Sequence, residues 1–309
     1  MRTSAVVVAL IVGLGALGAE QPLPGPFPTR VAEFGLVDPS RGRRVEVVLV
    51  APEGHGPFPF VAFSPGFLLS GREYQSTAVL LASHGIAVAL LTYDVTLFTA
   101  DHRLLAGDLR FVLGALPPAA AERGVSLDPE QIALAGHSLG GKLSFLVAAE
   151  VPTVRAVAGL DPVDGGAPGT DDPIRFPRAA DRMAEITAPK LLLGAERGGE
   201  ARFGMPCAPR DANYARLFER AISSAVEVTQ LGAGHMDYLD NPNCGFACAV
   251  CIPGADPTRT RTSAQSYLVL FFRAYLLGEP QAAEALARQL AVDEAARYIE
   301  VRGAVHREP

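Results

Sequence analysis

The stretch Gly136-His-Ser-Leu-Gly140 constrains this chain more than any other, because of what flanks it. Gln131-Ile-Ala-Leu-Ala135 before it reads as a short buried strand, and Gly141 to Glu150 after it reads as an amphipathic helix. Strand, G-x-S-x-G, helix is the setting of a nucleophile elbow. Two glycines let the chain turn sharply between strand and helix. The turn projects the Ser138 hydroxyl beyond the sheet, with a helix N-terminus behind it to favour developing negative charge. The bland alternative is a turn whose serine does nothing.

Apolar runs bounded by turn residues place the elbow in a series. Val45 to Val50 alternates, and Phe58 to Phe63 runs apolar into Ser64-Pro65-Gly66. Glu73 to Ser83 reads as helix with Gly85 as its C-cap, and Ile86 to Leu91 as a buried strand. Asp101 to Leu116 reads as a helix stopped by Pro117-Pro118. Strands Val154–Leu160, Lys190–Leu193 and Ala225–Leu231 follow. Buried strands alternating with helices predict an α/β fold, a mainly parallel sheet with helices on both faces. Ligands of such sheets bind outside the carboxyl ends of the strands, so the informative residues are those just after each strand.

A serine hydroxyl needs a general base within hydrogen-bond reach. His55 and His84 stand in turn-like contexts, His102 near a helix start and His306 in a polar tail. His137 adjoins Ser138 and should point the other way along its strand. His235 remains, in Gly232-Ala-Gly-His-Met-Asp237 directly after the last of these strands, and is the predicted base. The acid that orients the imidazole is read as Asp161, at the end of Val154–Leu160, where Pro162 should hold it extended. Glu196, after Lys190–Leu193 and beside Arg197, is the alternative, and Asp164 reads as a turn residue. The two donors for an oxyanion are predicted to be the N–H groups of Leu139 and of Phe67, with Gly66 permitting the turn.

Residues 1–18 read as a secretory signal peptide, with Arg2, the apolar run Ala5–Leu17 and the small-x-small site Ala16-Leu17-Gly18; an N-terminal membrane anchor is the alternative. No cysteine precedes Cys207, which argues against lipoprotein-type attachment near that site. Residues 19–40, with Pro22, Pro24, Pro26 and Pro28, are predicted to be an extended arm, and 41–309 a single catalytic domain. Lys plus Arg is 27 against 33 for Asp plus Glu, with no basic run, which disfavours a nucleic-acid partner. No long apolar span follows the signal region, so no stable membrane span is expected.

In an exported chain, Cys207, Cys244, Cys248 and Cys251 are expected to form disulfides, and sequence leaves the pairing open. The C-x3-C-x2-C spacing also matches an iron–sulfur pattern of radical enzymes, which requires a reducing compartment and a different fold. A four-thiolate zinc site is the other alternative. The expectation is no metal and no cofactor.

Together the motifs make the chain resemble chlorophyllases, and more broadly the chlorophyllase, polyester-hydrolase (cutinase) and platelet-activating-factor acetylhydrolase branch of the α/β-hydrolases. The likeness runs from about Phe60 to Glu279. It rests on Leu81-Ala-Ser-His-Gly85, Gly136-His-Ser-Leu-Gly-Gly-Lys142 and Leu160-Asp-Pro-Val-Asp-Gly165. Met205-Pro-Cys-Ala-Pro-Arg-Asp211 and Gly234-His-Met-Asp-Tyr-Leu-Asp240 extend it. The resemblance implies an α/β-hydrolase fold and places the acid at the Asp of Asp-Pro-Val, here Asp161. Two positions differ from the usual pattern: Leu139 replaces an arginine, and Pro65-Gly66 replaces His-Gly. The expected function is a secreted serine ester hydrolase acting on small-molecule or polymeric esters with a hydrophobic acyl or alcohol part. An acyltransferase using the same residues, or a non-catalytic binding module on this scaffold, are the alternatives.

Overall fold

Period-two alternation in the central strands sends neighbouring residues to opposite faces, and both faces are apolar. In β4 (Ala87–Tyr93), Ala87, Ala89 and Leu91 enter one core while Val88 and Leu90 enter another. A computed structural model describes residues 22–96, 99–166, 172–292 and 296–302. The predicted signal peptide lies outside the described residues.

The other strands are β1 (Thr29–Asp38), β2 (Arg43–Pro52), β3 (Phe58–Ser64), β5 (Leu127–His137), β6 (Val154–Leu160), β7 (Lys190–Ala195), β8 (Ala201–Arg202), β9 (Met205–Pro206), β10 (Ala225–Gln230) and β11 (Ala296–Arg302). Eight of these and β4 form one nine-stranded sheet in the order β1-β2-β4-β3-β5-β6-β7-β10-β11, and β8 and β9 make a separate hairpin. Pairing from β4 through β10 is parallel, while the edge pairs β1–β2, β2–β4 and β10–β11 are antiparallel. The helices are α1 (Gln75–Ser83), α2 (His102–Ala121), α3 (Leu139–Glu150), α4 (Tyr214–Arg220), α5 (Phe246–Ala249), α6 (Pro257–Tyr275) and α7 (Pro280–Val292). Buried side chains of α2, α3 and α4 pack on one face of the sheet, and those of α1, α6 and α7 on the other. This is the α/β-hydrolase arrangement expected from the alternating series.

Four local readings change. Thr29–Asp38, assigned above to the Pro-rich arm, is β1: Phe34 and Leu36 alternate into the core against β2, so the sheet begins ahead of residue 41. Helix α2 continues through Pro117 and Pro118 to Ala121. Proline already has a helical φ, and burial of Leu116 and Ala120 holds the final turn despite two missing N–H donors. Helix α3 is not amphipathic, because every residue from Leu139 to Ala148 is buried between the sheet and its neighbours. The helix predicted at Glu73 starts as a 3₁₀ turn over Gly71–Tyr74 before α1.

The chain places β4 on one side of β3 and β5 on the other. The order therefore reverses at β3, and in sheets of this kind ligands bind outside the carboxyl ends of the strands at such a switch point, here β3 and β5. Ser64-Pro65-Gly66-Phe67 and Ser138 lie at those two ends.

Candidate active site

The elbow is dictated by close backbone approach. A Cβ on Gly136 would sit 2.3 Å from the Gly140 carbonyl carbon, and one on Gly140 would sit 2.0 Å from the Ser64 oxygen. With both positions bare, Ser138 takes φ 53° and ψ −120°, a conformation that a side-chain-bearing residue adopts only where its surroundings enforce it. Its N–H donates to Leu160 O at 3.0 Å, and its carbonyl accepts from Val163 N–H at 3.1 Å. These bonds tie the turn to the end of β6.

The Ser138 hydroxyl lies 3.0 Å from His235 Nε2, and His235 Nδ1 lies 2.6 Å from Asp161 Oδ2. Asp161 is fully buried and His235 nearly so, whereas Ser138 is partly open. Because a carboxylate only accepts, Nδ1 carries the hydrogen and Nε2 is free to accept from the hydroxyl. Asp161 Oδ1 takes the Ala195 N–H at 3.1 Å, and its own N–H donates to Leu193 O at 2.6 Å. Three groups predicted separately thus meet in one hydrogen-bonded row.

Asp161 departs from its expected backbone. It has φ 39° rather than the extended conformation favoured before proline. Its bonds to His235 and to β7 hold that geometry. Glu196 is elsewhere: its Oε2 accepts from Gly232 N–H at 2.8 Å, and its neighbour Arg197 pairs with Glu200 instead. Asp164 is not a surface turn residue. It is buried, accepts from Ala179 and Ala180 N–H at 2.6 and 3.0 Å, and lies 3.7 Å from the buried Lys142 ammonium. Burial pulls Lys142 down to about 8, against the pull of Asp164.

Phe67 N–H and Leu139 N–H donate to no acceptor among the described residues. Leu139 opens α3, where unpaired N–H groups are intrinsic. In the other loop the left-handed residue is Leu68, with φ 59°, rather than Gly66. Gly66 gives room instead, since a Cβ there would crowd Leu69 Cδ1 at 2.9 Å and His137 Nδ1 at 3.0 Å.

Two residues around His235 escaped the sequence reading. Buried Asp237 accepts from Gly234 N–H at 2.8 Å and from Gly254 N–H at 3.3 Å, fixing the turn that carries His235. The Gly-x-x-Asp spacing of a capping turn was the available signal. Tyr74, from the 3₁₀ turn before α1, bonds His137 Nδ1 at 2.8 Å across 63 residues of sequence. No local signal announces that contact.

Cys207 bonds Cys251, and Cys244 bonds Cys248. The first bridge joins the segment after β9 to the strip behind His235, where the carbonyls of Cys251 and Pro253 accept from Arg202 and Arg197. With all four sulfurs paired, the thiolate metal readings have no ligands left. One described helix, α2, is long and apolar enough to cross a membrane, but its apolar stripe is spent on the sheet.

The reversing sheet order and the sharp strand–Ser138–helix turn define the class, an α/β-hydrolase. The family model described as Chlorophyllase matches residues 25–296, and the chain belongs to the chlorophyllase family. It is 31% identical over 254 residues to chlorophyllase-1, chloroplastic, of Citrus sinensis, covering 76% of this chain and 74% of that one. It is 26% identical over 147 residues to cutinase est2 of Thermobifida alba, covering 47% of this chain and 43% of the other. A solved ferulic acid esterase from Streptomyces cinnamoneus matches with TM-score 0.65 and 22% identity over 92% of this chain and 100% of that one, a likeness of fold.

Proposed function

We propose that the protein is an exported serine carboxylic-ester hydrolase with Ser138 as nucleophile, His235 as base and Asp161 as orienting acid. The observation that carries this is the row Ser138 Oγ, His235 and Asp161, with bonds of 3.0 and 2.6 Å, the serine end open and the acid end dry. Ser138 Oγ attacks the ester carbonyl while His235 Nε2 takes its proton. The negative oxygen of the tetrahedral intermediate falls to the unpaired N–H groups of Phe67 and Leu139. Collapse breaks the bond to the alcohol, which leaves with the proton from His235. Water, deprotonated by the same imidazole, then releases the acid and restores Ser138. Asp161 stays ionised and balances the imidazolium.

Exposed Leu68, next to the Phe67 loop, and exposed Phe203 and Met205 on the β8–β9 hairpin favour esters with a hydrophobic acyl or alcohol part. The two disulfides suit export, in keeping with a signal peptide at residues 1–18. A panel of esters graded by acyl length and alcohol bulk, including a chlorophyll and an aromatic polyester, tests the reading. We expect turnover that rises with hydrophobic bulk, and Ser138→Ala should abolish it while shifting stability by less than about 1 kcal/mol. Turnover by Ser138→Ala close to that of the parent would overturn it.

A further inference from the structure

His137, the residue before the nucleophile, is absorbed by no step above, yet it is fully buried at the centre of the site. Its Nε2 lies 2.8 Å from the carbonyl oxygen of His235, and its Nδ1 lies 2.8 Å from the Tyr74 hydroxyl. The same hydroxyl lies 3.2 Å from the N–H of Gly66. Chemistry assigns every proton in this chain. A carbonyl only accepts, so Nε2 of His137 carries the hydrogen. Nδ1 is then bare and takes the Tyr74 O–H, leaving the tyrosine oxygen to accept from Gly66 N–H.

We propose that Tyr74 and His137 are positioning residues: their hydrogen-bonded bridge fixes the distance between the oxyanion loop and the catalytic histidine. The inference rests on the triad reading above. At one end the bridge holds the peptide N–H immediately before Phe67. At the other it holds the backbone from which the His235 side chain springs, 3.0 Å short of Ser138 Oγ. His137 itself is joined by one peptide bond to Ser138. Nucleophile, base and oxyanion donors come from three loops, after β5, β10 and β3, and this bridge connects all three.

The surroundings are built to keep the bridge in one state. The Tyr74 ring packs on Phe63 at 4.7 Å, and the His137 ring lies between Tyr74, His235 and Tyr238 at 5.8, 4.7 and 5.7 Å. Burial holds the His137 imidazole well below the usual histidine range and the Tyr74 phenol well above the usual tyrosine range, so both stay neutral. A neutral ring there matters when His235 becomes an imidazolium, because a second cation at 4.7 Å would oppose that charge.

Tyr74→Phe removes one hydroxyl and leaves the ring packing in place. Turnover per active site, counted by fluorophosphonate titration, separates positioning from folding. We expect kcat per titrated site to fall about 10–100-fold with KM changed less than about threefold, the scale of a small misplacement of reacting groups. Tyr214→Phe, which loses a part-buried hydroxyl bond to Thr229 at 3.0 Å, is the control and should lower Tm without lowering kcat. His137→Phe should resemble Tyr74→Phe, and the double variant should be no slower than the slower single one, because parts of one unit do not add. Tyr74→Phe with parental kcat, or losses that multiply in the double variant, would overturn the proposal. Ser138→Ala in the same series keeps the two ideas apart. If it turns over ester, the triad reading fails; if it is inactive while Tyr74→Phe is unimpaired, only the bridge fails.

Discussion

Asp161 and Asp164 stand three residues apart on one loop, and both are buried, yet their oxygens face different chemistry. Asp161 gives one oxygen to the His235 ring and the other to the Ala195 N–H. Asp164 gives both of its oxygens to backbone N–H groups, of Ala179 and Ala180, and has the Lys142 ammonium beside it. In the first case, under the proposed mechanism, a fixed carboxylate faces a group whose proton moves. In the second it faces groups that stay as they are, and the result is a buried structural pair. Residue type and burial are the same, so the role follows from what each oxygen touches.

The largest expected effect tests that contrast at the catalytic end. Asp161→Asn should lower kcat by about 10³–10⁴, because the amide favours the wrong imidazole tautomer. Glu196→Gln, in a third carboxylate that accepts from the Gly232 N–H rather than from an imidazole, should change kcat by less than about tenfold. Steady-state kinetics on one ester decides both, and a crippled Glu196→Gln beside a mild Asp161→Asn would reverse the assignment.

At the structural end, Asp164→Ala strands the Lys142 ammonium with only the carbonyls of Asp164 and Gly165 for partners. A buried charge left without its counterion typically costs about 3–5 kcal/mol, so urea denaturation should show a large loss of stability. Turnover per titrated site should stay within about threefold of the parent. A variant as stable as the parent but catalytically dead would erase the contrast.

How far the sequence reveals these roles depends on how local their cause is. The elbow is legible because Gly136 and Gly140 are required by contacts with backbone only a few residues away or on the next strand. Asp161 and His235 are legible because they follow strands whose apolar runs are plain in the sequence. The left-handed backbone of Asp161 is not, since it is enforced by β7 and His235 rather than by Pro162. Asp164 looks like any turn aspartate until Lys142 and the Ala179 segment fold against it. Tyr74 is hidden because its partner is distant in sequence. β1 is hidden because an edge strand buries only part of one face, and the prolines before it suggest an arm.

The most gradual effect is on pH dependence, and it belongs to the Asp164–Lys142 side of the molecule. Burial first, then the Lys142 charge, pushes His102 down to about 3. Its folded pKa is depressed, so the unfolded chain takes up the proton first as pH falls. The stability it contributes is complete above about pH 6.5 and is lost progressively toward pH 3. Thermal melts should show Tm falling over that window, and His102→Phe, which keeps a ring against Phe176, should flatten the fall. An unchanged acid limb would exclude His102 as its source.

The most direct test of the central claim is covalent labelling of the folded protein with a fluorophosphonate, followed by intact-mass and peptide analysis. One adduct per chain is expected, located on Ser138, lost in Ser138→Ala, strongly slowed in Asp161→Asn and formed at close to the parental rate in folded Asp164→Ala. A folded protein that takes up no label, or carries it on a different residue, would contradict the proposed role of the Ser138–His235–Asp161 row.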